Sequence, residues 1–414
     1  MVPAAFVFMK ELPLTPNGKV NRRALPMPES ARPEPAKKDF IPPRSVTEKR
    51  LAKLLTQMLR IEKIGLNDNF FDLGGEAHTA AQMIFKIRET FDVELTQEKF
   101  SNSTTLADLA LRVDLAKVEK TLGELSFPTR FSVEICADCN LACTMCHHPQ
   151  MRRPKGKMPF ELWKKCADQI AAVSPGTQCW FSFCGEPLLD PDRLLKMIAY
   201  GKSIGLRSIN INTNGMLLTP VLAGPILESG VDLVVFGIDG FSRETYEKIR
   251  VNGKRDELYA NVEHFLAEKQ ACPNAPDVQV QFIELDVNAH ELDQFKKHWL
   301  NRGAIVKYRR MLSWGGTFET PLSIPLEERI PCPWALTMLH VFWDGRVPRC
   351  PGDTEGEEGV GNAWDEPLVD LWAKLGVYRE KQLKHRYEEL PQRCQTCTDW
   401  LTGSAERIHP EKST

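Results

Sequence analysis

No cysteine precedes Cys136 in this chain of 414 residues, no apolar run approaches the roughly 18 residues of a membrane span, and charge of neither sign predominates. With 53 basic against 55 acidic residues the formal net charge is -2, so the electrostatic footprint of a nucleic-acid or anionic-lipid binder is missing. Residues 1–10 carry one late charge and no cleavage-like small-residue site, which predicts a cytoplasmic protein with neither secretory signal nor membrane partner. A hydrophobic content of 42% with 26% charged residues excludes a mainly disordered chain. In a reducing compartment clustered thiols are more often metal ligands or catalysts than disulfides, and the twelve cysteines are read in that light.

The length predicts two or three domains of about 150 residues each. Six of the 29 prolines fall between Pro26 and Pro43 among charged residues, an extended linker rather than a packed element. Past it, Ser45 and Glu48 form a capping box, and Leu51, Leu54, Leu55, Met58 and Leu59 recur at helical spacing. Further apolar stripes run through Met83, Ile84, Ile87 and Phe91 and through Leu106, Leu109, Ala110 and Val113, so a small helical bundle is expected.

The loop inside that bundle, Asn69-Phe70-Phe71-Asp72-Leu73-Gly74-Gly75, resembles the signature of peptidyl carrier domains of nonribosomal peptide synthetases. The resemblance implies a serine two residues after the second glycine, carrying a phosphopantetheine arm. Ala77 stands there, by natural loss or by replacement, and alanine has no hydroxyl to load. Phosphopantetheine is therefore expected only with a serine at 77 or on a carrier in trans. Upstream, Leu12-Pro13-Leu14-Thr15-Pro16-Asn17-Gly18-Lys19-Val20 resembles the last motif of adenylation domains, whose lysine matches Lys19. Too little of such a domain is present to adenylate anything.

From Arg130 short β-rich runs alternate with helical stretches, the pattern of parallel βαβ units. Strands are expected at 131–136, 178–183, 207–212, 232–238, 278–285 and 305–309, and helices at 160–173, 192–201, 220–229, 256–270 and 291–302. Six such units make a partial barrel, and active sites of such folds gather at the carboxyl ends of the strands. After the first strand comes Cys139-x3-Cys143-x2-Cys146. Three close thiolates suit a four-iron cluster with one iron free for another molecule. The alternative is structural zinc with His147 or His148 as fourth ligand.

This loop resembles the defining motif of radical S-adenosylmethionine (SAM) enzymes. The resemblance implies that SAM chelates the free iron and that reduction releases a 5'-deoxyadenosyl radical. It assigns SAM contacts to Gly185 and Glu186 after the second strand, with the Glu186 carboxylate facing the methionyl ammonium. It assigns others to Asn212, Thr213 and Asn214 after the third strand, to Gly237 and Asp239 after the fourth, and to Met145 against the adenine. The sequence departs from the family at Gly237, where serine is common, and at Met145, where an aromatic is common. Arg250 matches a family position near the site without a stated role.

Cys332, Cys350, Cys394 and Cys397, with Gly345-Arg346-Val347-Pro348-Arg349 and Gly361-Asn362, resemble the SPASM or twitch extension of these enzymes. That implies a second, fully ligated [4Fe-4S] cluster, against four-cysteine zinc as the alternative. Of the other five cysteines, Cys136, Cys166, Cys179 and Cys272 read as small buried hydrophobes, and Cys184, beside Gly185, as a candidate hydrogen-atom donor.

The expected fold class is α/β: a partial (β/α)6 TIM-like barrel between an N-terminal helical bundle and a C-terminal small α+β cluster-binding domain. The expected boundaries are 1–28 adenylation tail, 29–43 linker, 44–118 carrier, 119–129 linker, 130–315 barrel, 316–405 twitch domain and 406–414 tail. The expected activity is abstraction of hydrogen from an aminoacyl thioester on a carrier, served by synthetase modules and an electron donor such as flavodoxin or ferredoxin. Dehydrogenation or epimerisation of a free small molecule or peptide is the alternative, and a non-catalytic zinc scaffold the third reading.

Overall fold

The computed structural model describes residues 9, 13, 20, 40–43, 45–101, 105–122, 125–181, 183–320, 329–402 and 405–410. Lys19 and nearly all of 1–39 lie outside the described residues. The chain divides into two compact units, residues 1–120 and 121–414.

The first unit holds helices α1 (Val46–Leu59), α2 (Ala77–Phe91), α3 (Gln97–Ser101) and α4 (Leu106–Leu122). α1 starts where its capping box directs: the Glu48 amide donates to Ser45 Oγ (3.1 Å) and the Ser45 amide to the Glu48 carboxylate (2.9 Å). The stripes of α1, α2 and α4 close on a core through Leu51, Leu55, Met83, Ile87, Leu109 and Val113. The motif before α2 is built residue by residue. Asn69 Oδ1 accepts from the amides of Phe71 (2.8 Å) and Asp72, an Asx turn. Phe70 is buried against Phe100 with ring centroids 5.2 Å apart. Gly74 has φ +94°, and a Cβ on Gly75 would lie 2.3 Å from the Phe70 ring, so both positions require glycine. Ala77 then opens α2 in full exposure, the place an arm would leave from.

The second unit is an eight-stranded sheet with helices on its outer face. Its strands and helices run β1 (Arg130–Val133), α5 (Phe160–Val173), β2 (Gln178–Phe181), α6 (Pro191–Ser203), β3 (Ser208–Thr213), α7 (Pro220–Glu228), β4 (Leu233–Gly237), α8 (Arg243–Ile249), α9 (Arg255–Lys269), β5 (Asp277–Glu284), α10 (Leu292–Leu300) and β6 (Ile305–Arg310). The C-terminal part adds α11 (Pro333–Thr337), β7 (Met338–Val341), β8 (Arg346–Val347), β9 (Gly361–Asn362), α12 (Leu368–Lys374), α13 (Gly376–Leu383), α14 (Gln392–Thr396), α15 (Asp399–Thr402) and β10 (Glu406–Ile408).

The six expected strands are present in order and parallel, the α/β partial barrel the rhythm predicts. The two edges are not among the expected strands: β7 pairs in parallel with β1, and β10, from the expected tail, pairs antiparallel with β6. The 316–405 segment thus supplies a barrel strand besides its own two-stranded β8–β9 ribbon.

Alternation with period two divides the strands into two faces. Phe131, Val133, Cys179, Phe181, Ile209, Ile211, Val278, Val280 and Phe282 pack outward with Trp163, Ile170 and Phe265 in the core under the helices. Their neighbours Arg130, Ser132, Trp180, Asn212, Gln281, Lys307 and Arg309 line the barrel interior. Cys166 and Cys179 lie fully buried in the outer core, as small hydrophobes do, and Cys272 packs against it half-buried.

Candidate active site

The loop after β1 carries the three thiols, and the strands beside it carry the rest. Cys139, Cys143 and Cys146 share one cavity of about 120 Å³ with Met145, Cys184, Gly185, Glu186, Asn212, Thr213, Asn214 and Gly237. Those residues come from the carboxyl ends of β1 to β4, where a parallel sheet collects its chemistry. The loop is tied down by backbone bonds from Ala142 to the Val251 carbonyl and from Thr144 to the Ile249 carbonyl, both 3.0 Å.

Two of the thiols are poor acids where they stand: burial first, then repulsion from Glu186 and the neighbouring cysteines, pushes Cys139 up to about 12, and burial with Cys143 pushes Cys146 up to about 11. Three facing thiolates therefore need a cation among them, and the donor set fits an iron-sulfur cluster. Among the described residues no group of three or more His, Cys, Asp and Glu side chains is in metal-holding geometry. Each histidine proposed as a zinc ligand is held through Nε2: His147 Nε2 meets Glu355 Oε1 at 3.0 Å, leaving its Nδ1 buried without a partner, and His148 Nε2 donates to the Ala137 carbonyl at 3.0 Å.

Gly185 is dictated by space, since a Cβ there would lie 1.8 Å from the Cys136 carbonyl oxygen. Glu186 is only 1% exposed, and its carboxylate already holds three donors. Oε1 accepts from the Leu188 amide (2.9 Å) and the Thr213 hydroxyl (2.6 Å), and Oε2 from the Asn214 amide (2.7 Å). Burial pushes this carboxyl up while those three bonds oppose it. Glu186 thus staples the end of β2 to the end of β3 while still lining the cavity. Thr213 in turn accepts from the Gly215 amide (3.0 Å), and Asn214 Nδ2 reaches Asn140 Oδ1 (2.8 Å) on the cysteine loop.

Asp239 is the one expected SAM contact that does not line the cavity. It is fully buried, accepts from the Ile283 amide at 2.6 Å, and forms an ion pair with Arg250. Arg250 Nη1 lies 3.5 Å from Cys143 Sγ, and Asp239 and Cys143 hold the guanidinium firmly protonated against its burial. The same guanidinium explains the missing serine: a Cβ on Gly237 would stand 2.5 Å from Arg250 Nη2. Cys184 borders the cavity, 2% exposed, its thiol held neutral by burial and by Cys146 and Glu134. Met145 faces the cavity while its carbonyl accepts from Trp314 Nε1 at 2.9 Å. Leu141, His148, Arg250 and Ile283 also line the cavity, as do Phe183, Gln281, Arg309 and Trp314, which no local motif marked in the sequence.

Of the four C-terminal thiols Cys332 and Cys394 are buried and Cys350 and Cys397 half-buried. Burial pushes Cys332 up to about 12, with Cys350 and Cys394 adding repulsion, and Cys397 is raised by burial, Asp399 and Cys332. Their sulfurs are met by donors. Arg329 Nη2 and Gln382 Nε2 each lie 3.6 Å from Cys394 Sγ; Ser313 Oγ (3.6 Å) and the Asp399 amide (3.3 Å) face Cys397 Sγ.

Comparison with known proteins agrees with this geometry. Residues 133–271 match the Radical SAM superfamily and residues 49–113 the Phosphopantetheine attachment site family. Over 132 residues the chain is 42% identical to a dimodular nonribosomal peptide synthase of Bacillus subtilis (strain 168), which covers 32% of this chain and 5% of that protein. Over 117 residues it is 41% identical to tyrocidine synthase 3 of Brevibacillus parabrevis, 28% of this chain and 2% of that one. The chain therefore spans 5% or less of these relatives. Among solved structures, Streptococcus suis SuiB bound to precursor peptide SuiA superposes with a TM-score of 0.53 at 11% identity, over 71% of this chain and 75% of that one. Native anSMEcpe with bound AdoMet gives 0.50 at 14% identity, over 67% and 89%. At such identities the likeness is one of fold. No described helix is long and apolar enough to cross a membrane. The polypeptide joins a phosphopantetheine-attachment carrier domain at 49–113 to a radical SAM domain at 133–271.

Proposed function

We propose that the chain abstracts a hydrogen atom from an aminoacyl group presented as a carrier thioester, giving an oxidised or ring-closed residue for nonribosomal peptide assembly. One observation carries this reading: a carrier domain shares the chain with a cavity where three thiols meet the carboxyl ends of four adjacent strands. Cys139, Cys143 and Cys146 would hold a [4Fe-4S] cluster that, once reduced, supplies the electron releasing a 5'-deoxyadenosyl radical from SAM.

The chain's own residues position and shield. Glu186 and Thr213 fix the segments that would receive the methionine end of SAM, and Asn214 ties them to the cysteine loop. Arg250 sets a fixed positive charge beside Cys143. Leu141, Met145 and Ile283 make an apolar wall that keeps water from a radical. Cys184 holds its hydrogen as a neutral thiol at the cavity edge, a position from which it would return hydrogen to a substrate radical in epimerisation, whereas oxidation leaves it unused. Cys332, Cys350, Cys394 and Cys397 would hold a second cluster, suited to taking the electron that an oxidised substrate gives up.

Ala77 bars loading of this carrier, so the substrate arrives on another carrier in trans or on this one once it carries serine. The chain would work in the cytoplasm with synthetase modules and a flavodoxin- or ferredoxin-type electron donor. The test is anaerobic reconstitution with iron and sulfide, metal analysis, and assay of 5'-deoxyadenosine from SAM, with and without an aminoacylated carrier. About eight irons per chain and carrier-stimulated SAM cleavage are expected. Zinc at both sites without cleavage would overturn the reading. Stimulation by the free amino acid and not by the carrier thioester would instead make the chain a small-molecule enzyme.

A further inference from the structure

A second cavity, of about 400 Å³, adjoins the first and shares Phe183, Asn212, Gln281, Arg309 and Trp314 with it. Its volume is that of a small-molecule site, which runs about 300–1,000 Å³. Its charge is one-sided. Arg130 of β1, Lys307 and Arg309 of β6 and Arg407 of β10 line it, and among the described residues no carboxylate does.

β1 and β10 stand far apart in the strand order, so Arg130 and Arg407 meet only because the sheet curls into a barrel. Within it, Arg407 is the register partner of Lys307. Like charges directly opposite on neighbouring strands repel, and Arg309, two residues further along β6, adds a third cation on the same face. No ion pair to a carboxylate relieves any of the four among the described residues. Two buried atoms wait there unpartnered as well: Arg309 Nε, a donor, and the amide oxygen of Gln281, a residue 3% exposed. Burial together with Arg309, Arg407 and Arg130 pushes Lys307 down to about 7, the direction expected of a cation held among cations.

We propose that this cavity seats the substrate and takes an anion, a carboxylate or a phosphate, between Arg130, Lys307, Arg309 and Arg407. The proposal rests on the radical SAM reading above and narrows its substrate. In a carrier thioester the α-carboxyl is already esterified, so the anion is a side-chain carboxylate or the phosphodiester of the arm. Trp180, Trp314 and Trp334 offer flat apolar walls for the uncharged remainder.

The experiment is titration calorimetry on the full chain, reconstituted anaerobically, with glutarate, inorganic phosphate, neutral glutaramide, pantetheine 4'-phosphate and pantetheine. The acids bind and glutaramide does not; Lys307→Met and Arg407→Gln weaken the acids about ten- to hundredfold, and Lys307→Arg keeps them. Arg407 is exposed on the edge strand, so its variant still reports if Lys307→Met fails to fold. Preference for pantetheine 4'-phosphate over pantetheine assigns the anion to the arm, and binding of glutarate without that preference assigns it to a side chain. Equal binding of glutarate and glutaramide, no anion binding, or unaltered affinity in both charge-removing variants overturns the proposal. The same preparation is assayed for 5'-deoxyadenosine. SAM cleavage without anion binding removes the seat and leaves the radical chemistry; anion binding without cleavage does the reverse.

Discussion

The two groups of cysteines differ in what surrounds them. The sulfurs after β1 open onto a cavity, with Arg250 and Asn214 the side chains reaching toward Cys143 and Cys139. The C-terminal sulfurs line neither cavity, although donors meet two of them as they meet the first group: Arg329 and Gln382 at Cys394, Ser313 and the Asp399 amide at Cys397. An open face lets a ligand reach a metal, whereas a closed, hydrogen-bonded one tunes a potential or holds a fold together. On the proposed reading the same side chain would serve exchange in one place and containment in the other.

The largest test removes one thiol from each group. Cys143→Ala is expected to abolish 5'-deoxyadenosine formation and to lose about half the iron, whereas Cys394→Ala loses a similar share and keeps cleavage within about tenfold. Equal loss of cleavage in both variants, measured by product assay beside iron analysis, would erase the distinction.

Arg250→Met comes next, because it strips the open group of its cation and leaves Asp239 buried alone. Losing one partner of a buried pair costs about 3–5 kcal/mol, so a clear drop in the unfolding midpoint is expected, together with at least about tenfold slower SAM cleavage. Combining it with Asp239→Asn restores much of the stability and none of the cleavage. A single variant as stable as the wild type would show that the pair does not brace the loop.

The seam between the regions gives the smallest effect. His340 of β7 stacks on Phe183 at 3.9 Å between ring centroids, and burial pushes its imidazole down to about 3. Its folded value is depressed from about 6.5, so the stability tied to the neutral ring is full above that pH and is lost as pH falls toward about 3. At pH 5 the loss is about 2 kcal/mol. His340→Phe flattens the acid limb of thermal stability between pH 6.5 and 4; an unchanged slope would place the acid sensitivity elsewhere.

Much of the candidate site is legible in the sequence, because its thiols, glycines and asparagines sit in short runs after predicted strands. Residues that act through distant partners are not. Glu186 reads as a ligand for an ammonium, and the sequence gives no sign that Thr213 and Asn214 bond to it from the next strand. Gly237 reads as a lost serine until Arg250, 13 positions on, is seen in the space. β7 and β10 stay hidden because an edge strand of three or four residues carries too little alternation to stand out.

By itself the sequence determined that a carrier motif without an attachment serine precedes a six-unit βα array with a three-thiol loop. Those are properties of near neighbours along the chain: caps, turns, periodicity and spacing. Only the tertiary structure decided which face of each strand looks inward, and hence that Arg130, Lys307, Arg309 and Arg407 meet in one cavity. Curvature and cross-strand register join residues from opposite ends of the barrel, and no local pattern encodes where such a sheet closes.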